Sequence, residues 1–146
     1  MRLTIESGDE EELILRCPDP DAPHIRALLR MLGDMQRRLP ARTETELCFL
    51  SPSDVLYAEY IDRGVFLYTA ESVYATPLSL TELEAEGLFR CAKSMAVRIG
   101  AIRSLKSRAN GRILATLHNG EQVLISRRYA AALRRALLTG SASARS

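Results

Sequence analysis

Tryptophan is absent from these 146 residues, and histidine occurs only at His24 and His118. The two histidines lie in separate halves of the chain, no nucleophile has an evident base beside it, and no glycine-rich phosphate loop occurs. Nothing in the sequence therefore proposes an enzyme. Cysteine is scarce too: Cys17, Cys48 and Cys91 are an odd number, 31 and 43 residues apart, with no paired motif. That pattern argues against a zinc site and for reduced thiols in a cytosolic compartment, read most simply as small buried hydrophobes. No apolar run approaches the roughly 20 residues of a membrane helix. The start, MRLTIESGDEEE, is acidic and lacks an apolar core segment, so no secretory signal is expected. The expectation is a cytoplasmic protein with no metal, no cofactor and no evident small-molecule substrate.

Acidic residues are nearly missing from the last part of the chain. Residues 87–146 hold 12 arginines and lysines against a single acid, Glu121, for a net of +11. Residues 1–46 carry 7 basic and 10 acidic side chains (−3), and residues 47–86 carry Arg63 against 7 acids (−6). The formal total of +2 thus hides a strongly polarised molecule. The stretch FRCAKSMAVRIGAIRSLKSR (89–108) alone has six basic residues and no acid. Such a cationic region can face phosphate, an anionic membrane or an acidic protein. Length and an ordinary composition, 47% hydrophobic and 26% charged, fit one domain with at most a small appendage.

Along the chain, LTIES (3–7) and ELILRC (12–17) read as strands joined by an acidic turn. Pro18 and Pro20 stop the second, and Asp21-Ala-Pro-His starts a helix with Ile25, Leu28, Leu29 and Leu32 at helical spacing. Arg37 to Glu46 is polar, contains Pro40 and reads as a linker. Short strands follow: LCFL (47–50), VLYAEYI (55–61), VFLYTA (65–70) and SVYAT (72–76), with Asp62-Arg63-Gly64 as a hairpin signal. Ser79-Leu-Thr-Glu82 has capping-box spacing before a short helix ending near Gly87. The next segment is ambiguous. Met95, Ile99 and Ile102 suit a helix; Met95, Val97 and Ile99 suit a strand, and Gly100 with the bulky β-branched residues favours the strand. Asn110-Gly111 and Asn119-Gly120 mark type I′ turns dividing a three-strand meander. A last helix has Ser126 as N-cap, Tyr129, Leu133, Ala136 and Leu137 on one face, and Gly140 beyond its end.

Arg127 and Arg128 stand at the start of that last helix, where cations oppose the macrodipole. A bound phosphate would compensate them; two arginines pointing to solvent at little cost would be the plainer account. Arginine outnumbers lysine 18 to 2, which suits paired hydrogen bonds to phosphate or guanine, although a GC-rich genome also favours arginine codons. A membrane surface fits less well, because the basic residues lie on strands and turns with no large apolar moment opposite them. Single-strand binding wants aromatic platforms, and the basic third offers only Phe89 and Tyr129. A protein-interaction module whose basic face docks an acidic partner remains the alternative.

From about residue 47 to 138 the chain resembles the LytTR family of bacterial DNA-binding domains. The resemblance rests on the order SLTELE, FRCAKSMAV, the paired NG turns and the terminal ISRRY. It implies an α+β, mainly β fold of short antiparallel sheets with a C-terminal helix, preceded by a small β-β-α segment. It also implies a transcription regulator that reads duplex DNA with loops in successive major grooves. The contacts it implies lie at Asp62, Arg63 and Gly64, in the RCAKS stretch with Lys93 at a base-contacting position, and at Arg127 and Arg128. Arg90, Ser94 and Arg98 are expected nearby. Many relatives have asparagine where Lys93 and Arg98 stand, which leaves the operator open. The division expected is residues 1–46 as an N-terminal segment with linker, available for dimerisation or sensing, 47–140 as the DNA-binding domain, and 141–146 as a disordered tail. That segment is too short for a phosphoacceptor receiver domain. A homodimer on double-stranded DNA is expected, and stand-alone relatives often accompany a small membrane protein partner.

Overall fold

The computed structural model describes residues 16–144. Helix α1 (Pro23–Gln36) opens on Pro23, whose missing N–H costs nothing at a first helical position. It buries Ile25, Leu29 and Gly33. Gly33 permits a close approach to the following chain: a Cβ there would lie 2.7 Å from the Arg38 carbonyl oxygen and 2.9 Å from Pro40 Cδ. Ten strands and two more helices follow. They are β1 (Leu39–Arg42), β2 (Leu47–Leu50), β3 (Val55–Ile61), β4 (Gly64–Thr69), β5 (Val73–Thr76), α2 (Leu80–Ala85), β6 (Phe89–Ala92), β7 (Met95–Val97), β8 (Ile102–Ser107), β9 (Ile113–Leu117), β10 (Gln122–Ile125) and α3 (Arg127–Ala144). A seven-stranded sheet has the order β2-β1-β5-β4-β3-β7-β6, and a three-stranded sheet the order β10-β9-β8. The fold is α+β, mainly β, and its strand pairs run antiparallel.

Several elements follow their local signals. The Ser79 hydroxyl accepts from the Glu82 N–H at 3.0 Å and the Glu82 carboxylate from the Ser79 N–H at 3.2 Å, the capping box read from the sequence. The ambiguous segment after Phe89 is strand, folded into the β6–β7 hairpin, with a single turn of 3₁₀ helix at Ile99–Ala101 before β8.

Other readings need correction. Leu39–Arg42, assigned to a linker, is a strand with Leu39, Pro40 and Ala41 buried. Pro40 is tolerated because β1 meets β5 only at Arg42 and Ala75, while the Pro40 carbonyl accepts the Thr76 hydroxyl at 2.8 Å. The β9–β10 turn is no type I′ turn. Leu117 pairs with Glu121 around a three-residue loop in which Gly120 alone has positive φ, +92°, the pattern of a type I turn closed by a left-handed glycine. The β8–β9 turn does have Asn110 and Gly111 both at positive φ, within a three-residue loop that includes Ala109. Helix α3 continues through Gly140 to Ala144, past the end expected for it and into the tail expected to be disordered. Residues 3–7, and 12–17 up to residue 15, lie outside the described residues, and Arg16 and Cys17 are not in a strand.

Two apolar clusters lie on opposite faces of the large sheet. On one, Val55, Ala58, Leu67 and Ala96 pack with Leu80 and Leu83 of α2 and with Leu39 of β1. On the other, Cys91 and Val97 meet Ile113, Leu117, Val123 and Ile125 of the small sheet and Leu133 of α3. Successive residues of β7 serve the two faces in turn, Ala96 the first and Val97 the second. Each fully buried leucine or isoleucine stabilises the fold by about 1.5–3 kcal/mol. The clusters hold β6, β7 and α3 as one unit and so set where their basic ends emerge.

Candidate nucleic-acid interface

The hairpin at residues 62–64 is tighter than its three-letter signal suggests. Gly64 already pairs with Ile61, leaving Asp62 and Arg63 as a two-residue turn with φ of 50° and 64°. Left-handed backbone is unfavourable for a residue with a Cβ, yet an exposed arginine occupies the place where glycine is usual. The second turn, between β6 and β7, is Lys93-Ser94, closed by the Ala92–Met95 pair and exposed. Because β7 pairs with β3, the two turns lie side by side, and the Tyr60 N–H donates to the Ser94 carbonyl at 2.8 Å. Between them and α1 runs an open groove of about 500 Å³. Arg26, Arg30, Arg63, Arg90, Lys93 and Ser94 line it, and among the described residues its lining includes no acidic side chain.

Arg90 points toward α2, where its Nη1 lies 3.4 Å from Glu84 Oε2, while its Nε is buried without a hydrogen-bond partner among the described residues. Arg98 does not line the groove. Its Nε donates to the Val55 carbonyl at 2.8 Å, and its backbone N–H to Leu56 at 2.9 Å, which straps the end of β7 to β3.

Arg127 and Arg128 form a separate cluster. The Ser126 N–H donates to the Cys91 carbonyl at 2.9 Å, which anchors the start of α3 on β6. Both arginines are exposed. The Arg127 stem lies against the β8–β9 turn, where a Cβ on Gly111 would sit 3.2 Å from Arg127 Cγ. The Arg128 guanidinium stands 5.4 Å from the centre of the Tyr129 ring. Exposed Arg108 and Arg112 flank that same turn, and exposed Arg103 and Lys106 project from β8. These four, with Arg26 and Arg30, were not singled out from the sequence. For the α1 pair the signal was present, since two arginines four apart share a helix side next to the buried Ile25 and Leu29.

The lone acid of the basic third is already occupied. Glu121 accepts the Tyr57 hydroxyl at 2.7 Å and the Asn119 amide at 2.8 Å, joining the two sheets. Burial first, and then the Glu121 carboxylate, push the Tyr57 hydroxyl well above the usual tyrosine range. Elsewhere, burial tends to raise the Glu82 carboxyl, but Arg30 and the Ser79 N–H outweigh it and hold the group below its ordinary value. Among the described residues, no group of three or more histidine, cysteine, aspartate and glutamate side chains could hold a metal ion. Nor is any described helix long and apolar enough to cross a membrane.

A family model for the LytTr DNA-binding domain matches residues 45–138. An uncharacterized response regulatory protein of Vibrio cholerae serotype O1 is 31% identical over 93 residues, which are 63% of this chain and 39% of that protein. The chain thus spans well under half the length of that relative. Among solved structures, a LytTr DNA-binding domain from Bacillus cereus superposes with a TM-score of 0.64 at 25% identity, covering 68% of this chain and 95% of that one.

Proposed function

Because the chain belongs to the LytTR family of DNA-binding domains, a family of regulators rather than of catalysts, we propose that it controls transcription by sequence-specific reading of duplex DNA. Loops rather than a recognition helix make the contacts and enter successive major grooves on one side of the duplex. Lys93 and Arg128 reach base edges, while Arg63, Arg90 and Arg127 hold phosphates. One observation carries this reading: two turns that are 31 residues apart in sequence, Asp62-Arg63 and Lys93-Ser94, share one basic groove whose lining, among the described residues, holds Arg63 and Lys93 but no acid. The strained backbone of Arg63 supports it too, since exposed left-handed arginine is a cost that a contact would offset. Arg98, strapped to Val55, acts mainly on the position of β7.

The protein works in the cytoplasm as a homodimer on repeated half-sites, which offsets the weakness of one small module. A small membrane protein remains the partner suggested by the resemblance to stand-alone relatives. The test is selection of the purified chain on a randomised duplex pool at roughly physiological salt. Enrichment of a motif repeated about one helical turn apart is expected. A pool that binds without enrichment would reduce Lys93 and the arginines to phosphate contacts, and no binding would favour an acidic protein partner.

A further inference from the structure

Helix α1 lies outside the stretch matched by the family model, yet it contributes two of the five cations that line the groove. The two are not equivalent. Arg30 is engaged: its Nε and Nη2 reach the Glu82 carboxylate at 2.9 and 3.1 Å, and Nη2 also reaches the Pro77 carbonyl at 2.8 Å. Among the described residues Arg26 makes one hydrogen bond, from Nη2 to the same Pro77 carbonyl at 2.8 Å. A guanidinium has five N–H donors and accepts nothing, so most of the donors of Arg26 are uncommitted among the described residues. The shared carbonyl and half-burial on α1 hold its head at the groove, so little freedom remains to be lost when an anion arrives. Arg63 and Lys93 lie around the same space, Arg90 beside them is partly compensated by Glu84, and no carboxylate of the described residues lines the groove, so its field favours a negative occupant.

Resting on the DNA-binding reading above, we propose that this groove seats a backbone phosphate of the bound duplex, with Arg26 of α1 as one of its ligands. A helix outside the shared domain thereby extends the interface past the Asp62-Arg63 and Lys93-Ser94 turns. Phosphate oxygens accept paired N–H bonds from a guanidinium, which a lysine cannot offer in the same geometry.

The experiment measures affinity of the full chain for a labelled duplex carrying its selected motif, from roughly 50 to 250 mM salt. Wild type, Arg26→Ala and Arg26→Lys are compared, with thermal melts of each. One lost phosphate contact lowers the slope of log K against log salt by about 0.9, which at about 0.1 M salt is an affinity loss of about eightfold. Arg26→Ala is expected to show both changes, and Arg26→Lys to keep the slope with part of the affinity. An unchanged slope in Arg26→Ala overturns the proposal, whether or not affinity falls, because a merely structural arginine would weaken binding without changing the ion count. A small phosphorylated molecule as the true occupant is the other outcome to separate. Adenosine monophosphate would then raise the melting temperature of wild type but not of Arg26→Ala, while the duplex slope stayed independent of Arg26. That result would also overturn the duplex assignment. Failure of wild type to prefer any duplex would sink the DNA reading itself, and is seen in the wild-type arm alone.

Discussion

Replacing Arg127 and Arg128 together by alanine should separate binding from folding, because the two effects run in different directions. Both side chains are exposed at the N-terminus of α3, where each cation costs about 0.3–1 kcal/mol against the helix dipole. Alanine removes that cost. It also forfeits the Arg128–Tyr129 contact, about 0.5–1 kcal/mol at an exposed site, and the Arg127 stem on the β8–β9 turn. The terms nearly cancel, so stability should stay within about 1 kcal/mol of wild type, a melting shift of less than about 4 °C. Binding should respond very differently. If both arginines neutralise phosphates, the salt slope falls by about 1.8, and affinity at about 0.1 M salt falls by roughly 60-fold, or about 2.4 kcal/mol. If Arg128 reads a base edge instead, its share becomes about 1–3 kcal/mol of discrimination and the preferred motif relaxes at one position. Fluorescence anisotropy with the selected duplex, run beside thermal melts, measures both quantities. Wild-type affinity and slope in the double variant would refute the site assignment. A loss of binding matched by a large loss of stability would refute the claim that these arginines act on DNA rather than on the fold.

Three further outcomes follow from named residues. Arg63→Gly relieves left-handed strain of about 1–2 kcal/mol against about 0.4–1 kcal/mol for glycine's looser unfolded chain; stability should rise by up to about 1.6 kcal/mol while duplex affinity drops, and a variant that is both less stable and an equal binder would contradict this. The Glu82 carboxyl has a folded pKa below its unfolded one, so its contribution is complete above the unfolded value of about 4.3 and is lost as pH falls through the lower folded value. Melting temperature should therefore decline on acidification below about pH 4.5 in wild type and more shallowly in Glu82→Gln; parallel curves would argue against the Arg30–Glu82 pair as a clasp on α1. Burial pushes the Cys91 thiol up to about 12, so a thiol reagent should modify Cys17 and Cys48 in the native protein and reach Cys91 only on unfolding. Equal labelling rates at all three positions would show that the packing around β6 is looser than described.

Much of the fold was legible because its signals are local. Alternation in VLYAEYI and VFLYTA and the Ser79–Glu82 box each describe a few neighbouring residues, and those residues adopt the expected structure. The failures have the opposite character. Leu39–Arg42 looked like a linker because four residues with a proline carry no period; the β2 ladder, the β5 pairing at Arg42 and the Thr76 hydroxyl make them a strand. Asn119-Gly120 carried the right turn residues, but the three-residue loop closed by Leu117 and Glu121 left Gly120 alone in the left-handed region. In the candidate interface, Arg63, Lys93 and Arg127 are positions that charge and the resemblance single out. The commitment of Arg98 to Val55 is not legible in the same way, since its partner lies 43 residues away.

By itself, then, the sequence determined the class of the protein: short antiparallel strands, a polarised charge distribution, and two arginines set against a helix dipole. All of these are properties of residues close together in the chain, where sterics and hydrogen-bonding rules act directly. Only the tertiary structure decided which basic residues share a surface. The antiparallel pairing of β3 with β7 brings two distant turns together, and the clasp of Arg30 on Glu82 swings α1 over them with Arg26 at the rim. Those choices depend on how complementary faces pack across long separations, and packing of that kind leaves no periodic trace in the order of residues.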